Sequence, residues 1–309
     1  MVLNTLTKKV LVTGANGLLG QKLIALLLAQ NYVVLATGRG ESRLPQDWNC
    51  PYSSMEVSDQ EAVYDVFDNF KPEVVVHAAA MTQADQCEED RVGCHLQNVI
   101  GTKNIVEACK DHECHLIFLS TDFIFDGKNG PYSENDKPNP ANYYGQTKLE
   151  GEKLTQMSGL KLWSIVRTVL VYGTMHRGSR SNIILWVKEN LEAKKPIKVV
   201  SDQWRSPTLV EDLCGGILAI IEKKASGIFN ICGPDFLTPY EMACVTADHF
   251  QLDKSYMEKV SGDTFTQTAK RPPKTGLILD KAQKELDYRP KSFAEGIGIL
   301  AKQLKLANS

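Results

Sequence analysis

Residues 9–30 read KVLVTGANGLLGQKLIALLLAQ, and the expected architecture follows from them. The short apolar run 9–13 predicts a strand, and a turn with three glycines comes directly after it. The run 18–30 then carries leucines at helical spacing. Strand, glycine turn and helix in this order form the context of a dinucleotide-binding fingerprint. The alternative is a structural strand-to-helix turn with no ligand.

The three glycines of this turn, Gly14, Gly17 and Gly20, follow each other at intervals of three residues. In such a fingerprint the glycines make the turn tight, let backbone approach a pyrophosphate and let the helix pack on the strand. The helix N-terminus offers unpaired N–H groups and a partial positive charge to the phosphates. We therefore expect a dinucleotide cofactor here.

The end of the second predicted strand, residues 32–37, bears on which dinucleotide binds. An acidic residue there bonds the adenosine ribose of NAD, whereas a basic residue accommodates the 2′-phosphate of NADP. The sequence continues Gly38-Arg39-Gly40, so we interpret Arg39 as a determinant for NADPH, with NADH still possible. The alternative is an exposed loop arginine, and Glu41 nearby weakens the signal.

Small and hydroxyl residues follow two further predicted strands, 73–77 and 115–119. Open α/β sheets bind ligands at the carboxyl ends of their strands. There the first strand is followed by Ala78, Ala79 and Ala80, against which a cofactor can lie. The second leads to 120–123, where a hydroxyl can bond a substrate carbonyl or, alternatively, only the local turn. Strands alternating with helices predict an α/β fold, a doubly wound parallel sheet of Rossmann type with a smaller mixed C-terminal lobe.

Residues 142–148 read NYYGQTK and contain a candidate acid/base pair. As the first turns of a helix they place Tyr144 and Lys148 four residues apart on one face. A free phenol has a pKa of roughly 10, which a neighbouring ammonium lowers by favouring the phenolate. Such a tyrosine can transfer a proton near neutral pH. The alternative is a solvated helix face.

The composition narrows the function classes. The chain has 309 residues, of which 43% are hydrophobic, so it can form one large domain or two modest ones. Its net charge of −2 is nearly balanced, which suggests no nucleic-acid or membrane partner. No stretch approaches the roughly 20 apolar residues that span a bilayer, and residues 1–9 lack the apolar run of a signal peptide. The eight cysteines form no C-x-x-C pair. We expect a cytoplasmic protein with reduced thiols and no metal site.

Several of these motifs together resemble the extended short-chain dehydrogenase/reductase superfamily. In chain order they are 14–20, 78–80, 120–127, 144–148, 167–168 and 171–173. The run STDFIFDG at 120–127 is similar to the dTDP-4-dehydrorhamnose reductase branch. The run DQWRSPT at 202–208 and the pair Arg271-Pro272 resemble later motifs of the same branch. That branch also includes the regulatory beta subunit of methionine adenosyltransferase.

The resemblance implies catalytic and cofactor-binding roles. Tyr144 would donate the proton, Lys148 would hold the nicotinamide ribose and lower the tyrosine pKa, and Thr121 would supply a third hydroxyl. Among the implied cofactor-binding residues, Gly17, Leu18 and Leu19 would contact the pyrophosphate, Glu56 and Val57 the adenine, and Ala78, Ala79 and Ala80 the nicotinamide side. The others are Gly14, Asn16, Gly20, Arg39, Tyr144 and Lys148.

The implied substrate site draws on two parts of the chain. Thr82, Thr121, Asp122 and Phe123 would lie near a sugar. Arg205 and Arg271 would bind a diphosphate, because a guanidinium donates several hydrogen bonds at once; the alternative for each is a surface ion pair. The implied division is a cofactor domain of 1–172 plus about 208–234, and a substrate lobe of about 173–207 plus 235–309.

Three positions depart from the pattern of the branch. Leu170 stands where the branch often has tryptophan, Arg205 where it has glycine, and Glu56 where it has aspartate. These departures leave the cofactor expectation intact and leave the sugar open.

The resemblance implies NADPH-dependent reduction of a 4-keto nucleotide-sugar, by a chain that can form a homodimer. One alternative is an NADP-binding regulatory subunit similar to the methionine adenosyltransferase beta subunit. Another is a nucleotide-sugar epimerase or dehydratase that recycles bound NAD.

Overall fold

A computed structural model describes residues 8–178 and 182–307. The strands are β1 (Lys9–Thr13), β2 (Val33–Gly38), β3 (Tyr52–Ser54), β4 (Val74–His77), β5 (His115–Thr121), β6 (Trp163–Thr168), β7 (Val171–Tyr172), β8 (Ile197–Val200), β9 (Thr208–Leu209), β10 (Gly227–Asn230) and β11 (Met257–Val260). The helices are α1 (Leu18–Ala29), α2 (Gln60–Phe70), α3 (Ala84–Glu89), α4 (Arg91–His95), α5 (Gly101–Asp111), α6 (Tyr143–Gln156), α7 (Ile183–Glu192), α8 (Val210–Lys223), α9 (Pro239–Phe250), α10 (Asp280–Leu286) and α11 (Phe293–Ala307).

Within these described ranges, seven strands form one parallel sheet in the order β10-β6-β5-β4-β1-β2-β3. Strand β1 lies between β2 and β4, with Val12 opposite both Ala36 and Val76. The chain first adds β2 and β3 on one side of β1 and then adds β4, β5, β6 and β10 on the other. The predicted doubly wound α/β fold is confirmed. The order reverses between β1 and β4, where such sheets bind ligands.

Helices cover both faces of this sheet because successive residues of a buried strand point to opposite sides. Val10 and Val12 pack in one core with residues of α1 and α8. Leu11 between them packs in a second core with residues of α2 and α5. Burial on both faces explains why the strands read as continuous apolar runs rather than as alternating ones.

Two short parallel ladders lie outside the central sheet, β7 with β9 and β8 with β11. Helices α7, α9 and α11 fall within the ranges predicted for the smaller lobe. They contribute Ile184, Met242 and Phe293 to one core cluster, and Val187 and Ala247 to another. All strands of the central sheet fall within the ranges proposed for the cofactor domain. In the described part of the chain, no helix combines the length and apolar character that crossing a membrane requires.

Candidate functional site

Two adjoining cavities open at the carboxyl ends of the central strands. The first, called here the tyrosine cavity, has a volume of about 360 Å³ and includes Tyr144 in its lining. The second, called the loop cavity, has about 330 Å³ and includes Arg39. Five residues line both: Gly14, Gly17, Ala78, Ala80 and Thr82. A single extended ligand can therefore occupy both cavities.

The predicted site residues, with the exception of Arg271, line one cavity or the other. Besides the shared five, the tyrosine cavity is lined by Leu18, Leu19, Gly20, Thr121, Asp122, Phe123, Tyr144, Lys148 and Arg205. The loop cavity is lined by Asn16, Arg39, Glu56, Val57 and Ala79. The fold thus brings together residues that are more than 180 positions apart in the sequence.

The glycine turn provides close backbone approach beside these cavities. Gly14 has a φ of +71°, and a Cβ at this position would lie 2.8 Å from the carbonyl carbon of Ala78, so a side chain here would be strained and would clash. Gly17 is the N-cap residue of α1, and within the described residues no side chain accepts a hydrogen bond from the N–H groups of the first turn. The N-terminus of α1 therefore keeps backbone N–H groups for an anion. These features fit the pyrophosphate of a dinucleotide.

The loop after β2 is held in place by the side chain of Asn16. Its Nδ2 donates to the carbonyl oxygen of Glu41 and to the Tyr52 hydroxyl, both at 3.0 Å, and its Oδ1 accepts from the Arg43 backbone N–H at 2.8 Å. Arg43 lines the loop cavity together with Arg39. Sequence reasoning selected Arg39 alone, although two arginines four residues apart in one loop already indicated a basic patch.

Helix α6 carries the predicted acid/base pair against the turn that follows β5. The Asn142 side chain caps the helix by accepting from the Gly145 N–H at 2.9 Å. A Cβ on Gly145 would lie only 2.0 Å from the carbonyl oxygen of Phe123, so this close contact requires glycine. The rings of Tyr144 and Phe123 meet edge to face at 6.0 Å. The phenol is thereby placed at the wall of the cavity.

Lys148 lies one turn further along α6 and lines the same cavity. Its side chain is buried, and its Nζ lies 4.1 Å from the centre of the Phe118 ring. Burial lowers the pKa of Lys148 to about 7, because the charged form loses its hydration. An ammonium and a phenol on one helix face in a shared cavity make the acid/base chemistry sterically feasible.

The predicted third hydroxyl, Thr121, ends β5 and takes part in a buried network. Its Oγ1 donates to Oδ1 of Asp122 at 3.1 Å and accepts from the Phe123 N–H at 3.2 Å. The other carboxyl oxygen of Asp122 accepts from the Thr275 hydroxyl. Burial raises the pKa of Asp122. To bond a substrate carbonyl, the Thr121 hydroxyl hydrogen must turn from Asp122 towards the cavity.

The two predicted arginines have different surroundings. Arg205 is 6% exposed and lines the tyrosine cavity. Arg271 instead forms a forked ion pair with Asp85, with N–O distances of 3.1 and 2.6 Å, and lines neither cavity. Its contact with a diphosphate stays a prediction, and this contact would require the ion pair to rearrange.

The sequence model of one family, described as the RmlD substrate binding domain, matches residues 8–306. The chain belongs to this family. The predicted membership of the extended short-chain dehydrogenase/reductase superfamily, in its dTDP-4-dehydrorhamnose reductase-like branch, is confirmed.

Proteins similar to this RmlD-family chain include a named subunit, a polysaccharide biosynthesis protein and a solved reductase. Methionine adenosyltransferase 2 subunit beta from Bos taurus is 32% identical over 285 residues, covering 91% of this chain and 83% of the relative. The spore coat polysaccharide biosynthesis protein SpsK of Bacillus subtilis is 30% identical over 290 residues, covering 94% and 95%. The solved dTDP-4-dehydrorhamnose reductase of Bacillus anthracis, in complex with NADP, has a TM-score of 0.84 at 25% identity, covering 96% of this chain and 100% of that one.

One buried polar residue of this RmlD-family chain, Asn98, was not selected from the sequence. It lies in a π-helical turn, Leu96–Ile100, between α4 and α5. Its side chain accepts from the Met81 N–H at 2.8 Å, and donates to the Met81 carbonyl oxygen and the Thr147 hydroxyl, each at 3.0 Å. Asn98 thus connects the segment after β4, which lines both cavities, to the helix that carries Lys148. No pattern in the sequence signals this contact.

Proposed function

We propose that the chain is an NADPH-dependent reductase of a 4-keto nucleotide-sugar. The observation that carries the proposal is one cavity in which Thr121, Tyr144 and Lys148 lie beside the glycine turn. The NADP bound to the similar Bacillus anthracis reductase supports the choice of cofactor. Two arginines in the loop cavity, Arg39 and Arg43, favour a cofactor with a 2′-phosphate, while NADH is the second cofactor to test.

The residues of the chain account for the proton chemistry of such a reduction. The cofactor, when bound, supplies a hydride for the carbonyl carbon. Tyr144 donates its phenolic proton to the carbonyl oxygen, and the ammonium of Lys148 stabilises the phenolate that remains. Thr121 donates a hydrogen bond to the same oxygen as negative charge develops there. Tyr144 then regains a proton from solvent, and the product is the alcohol.

The direct test is consumption of NADPH by the purified protein with a panel of 4-keto nucleotide-sugars carrying dTDP, UDP or GDP. We expect oxidation of NADPH with at least one member, and a new hydroxyl at the former carbonyl in the product. A protein that binds NADPH in a thermal-shift assay, yet oxidises it with no keto-sugar, would contradict the proposal.

A second candidate is a cofactor-binding regulatory subunit. The observation in its favour is the 32% identity to methionine adenosyltransferase 2 subunit beta over 91% of the chain. Gel filtration of the chain with the methionine adenosyltransferase catalytic subunit of its source cell distinguishes the two. A stoichiometric complex without NADPH oxidation on any keto-sugar supports the regulatory role. An epimerase or dehydratase would instead convert nucleotide-sugars with no net consumption of NADPH.

A further inference from the structure

Glu152 is a fully buried carboxylate on α6, one helical turn beyond Lys148. Its Oε1 accepts from Nε of Arg167 at 2.9 Å and from the Ser120 hydroxyl at 2.6 Å, and its Oε2 accepts from Nη2 of Arg167 at 2.7 Å. Both oxygens are thus engaged in a forked ion pair whose two side chains are at most 2% exposed. Because Glu152 lines neither cavity, it can affect a ligand only through other residues.

These hydrogen bonds fix how α6 is rotated against the sheet. Tyr144, Lys148 and Glu152 follow each other at intervals of four residues, so they share one face of the helix. Ser120 and Arg167 are paired residues of β5 and β6, close to the strand ends that lead into the tyrosine cavity. A rotation of α6 that moved Tyr144 would therefore break the hydrogen bonds of Glu152 to both strands.

The packing of α6 beside Glu152 leaves little room for adjustment. A Cβ on Gly151 would lie 2.8 Å or less from the Phe118 ring, at 2.5 Å from its Cζ, so the helix approaches β5 closely here. The same ring meets the ammonium of Lys148 at 4.1 Å. Phe118 thus sets the depth at which α6 packs on the sheet, and Glu152 sets its rotation.

Glu152 also places a negative charge close to the Lys148 ammonium. Residues four apart on a helix have their Cβ atoms roughly 5–6 Å from each other. Burial lowers the pKa of Lys148 to about 7, and the charge of Glu152 acts in the opposite direction by raising it. The buried ammonium is therefore sensitive to whether this carboxylate is present.

The other ionisable groups around Lys148, apart from Tyr144, lie on α3, α4 and β4. His77 of β4 is neutral, because burial lowers its pKa to about 3. Cys87 of α3 donates a hydrogen bond to Cys94 of α4, which raises the pKa of Cys87 and lowers that of Cys94. An experiment on the charge of Lys148 must therefore separate the effect of Glu152 from that of Cys94.

We propose that Glu152 is a positioning residue for the Tyr144–Lys148 pair: anchored by Arg167 and Ser120, it fixes the rotation of α6, and its negative charge stabilises the Lys148 ammonium. This inference rests on the proposed function, since the pair transfers a proton only if the chain is a reductase. A buried ion pair is weak evidence for stability by itself. Its place, one turn from the proton donor's partner and on the same helix face, indicates the positioning role.

The first test is the pH profile of kcat/KM for an accepted keto-sugar at saturating NADPH. Reduction requires the protons of both Tyr144 and Lys148, and each is held less tightly without the charge of Glu152. In Glu152→Gln, activity should therefore be lost at a pH lower by roughly one unit than in wild type. Glu152→Asp keeps the charge and should keep the wild-type limb.

A charge-neutral double variant, Glu152→Gln with Arg167→Gln, separates positioning from stability. It leaves no unpaired buried charge, so it keeps the test decisive if the single variant does not fold. Its alkaline limb should move in the same direction by a smaller amount, because the positive charge of Arg167 is removed as well. A wild-type limb in the folded double variant would mean that the ion pair serves stability alone, and would overturn the proposal.

The second test needs no substrate. It is a double-mutant cycle of unfolding free energies that combines Lys148→Met with the charge-neutral double variant, at pH 6 and at pH 9. Folded Lys148 is mostly charged at pH 6 and neutral at pH 9, so a favourable coupling to Glu152 should be present at pH 6 and largely lost at pH 9. The same cycle in a Cys94→Ser background should give the same result. Coupling that is equal at both pH values, or that vanishes without the thiol, would overturn the proposal.

Asp212→Asn is the matched control for both tests. Asp212 is a largely buried carboxylate of α8 that pairs with Lys291 at 3.0 Å and lines neither cavity. Its loss should lower stability and leave the alkaline limb unchanged. An unchanged limb in the Glu152 variants as well would overturn the positioning role and leave the reductase intact. If no keto-sugar is reduced, the reductase proposal fails, and the cycle still decides whether Glu152 stabilises the Lys148 charge.

Discussion

The Nζ of Lys148 lies 4.1 Å from the centre of the Phe118 ring, so the ammonium meets the electron-rich face of an aromatic side chain. This contact offsets part of the hydration that Lys148 loses at 4% exposure. The remaining penalty lowers the pKa of Lys148 from 10.5 to about 7. The charge that the proposed mechanism requires is therefore sensitive to pH near neutrality.

Lys148 should make the stability of the unliganded protein depend on pH. Between pH 7 and 10.5 the unfolded chain keeps the proton that the folded chain loses, so the free energy of unfolding rises with pH across this window. From pH 7 to 9 the contribution is at most roughly 2–3 kcal/mol. Urea unfolding of wild type and Lys148→Met at both pH values measures it. Identical pH slopes for the two proteins would contradict a lowered pKa.

Tyr144→Phe should remove the proton donor while leaving the ring that meets Phe123. We expect turnover with any accepted keto-sugar to fall roughly a hundred- to ten-thousandfold, with NADPH affinity little changed. Tyr143→Phe is the matched control, because Tyr143 lies next in the chain but packs its ring 5.0 Å from Arg91, outside both cavities. Equal losses in the two variants would argue against Tyr144 as the acid.

Asn98→Ala should separate positioning from stability. It leaves the Met81 N–H without its partner and removes one donor from the Thr147 hydroxyl, which still donates to the Tyr144 carbonyl oxygen. The loss should cost about 1–3 kcal/mol of unfolding free energy. Because those contacts join the cavity wall to α6, which carries Tyr144 and Lys148, the substitution should lower kcat by a larger factor than it alters KM. Asn230→Ala is the control, since Asn230 is also a buried asparagine that donates to two backbone carbonyl oxygens, but it lies outside both cavities. A similar kcat for both variants would show that Asn98 stabilises the fold without positioning the catalytic residues.

The sequence predicted those features of the site that depend on residues close together in the chain. Glycines three residues apart after a strand produce the turn beside the cavities, and Tyr144 and Lys148 share a face because a helix repeats every 3.6 residues. The strand ends were predictable for the same reason, since every parallel strand delivers its last residues to one edge of the sheet. The fold and the position of most candidate site residues follow from these short-range rules.

Long-range pairings could not be predicted in this way. Arg205 and Arg271 looked equivalent in the sequence, but Asp85, 186 residues away from Arg271, neutralises that arginine and leaves Arg205 facing the cavity. Asn98 looked like one polar residue in a helix. Its contact with Met81 depends on a π-helical turn that a helical repeat does not reveal. Each case depends on a partner chosen by the tertiary fold rather than by spacing.

The last prediction concerns the choice between NADPH and NADH. Arg39 and Arg43 both line the loop cavity and are exposed, and Asn16 fixes the loop through the Arg43 backbone. Arg39→Ala and Arg43→Ala should each weaken NADPH binding roughly tenfold or more, because each removes a cation from the 2′-phosphate, and should change NADH binding little. Fluorescence titration with both cofactors, at one fixed ionic strength because salt screens exposed charges, measures this selectivity. Arg289→Ala, which removes an exposed arginine paired with Asp287 outside both cavities, is the control. If the loop variants lose affinity for NADPH and NADH equally, the arginines stabilise the loop and do not bind the 2′-phosphate.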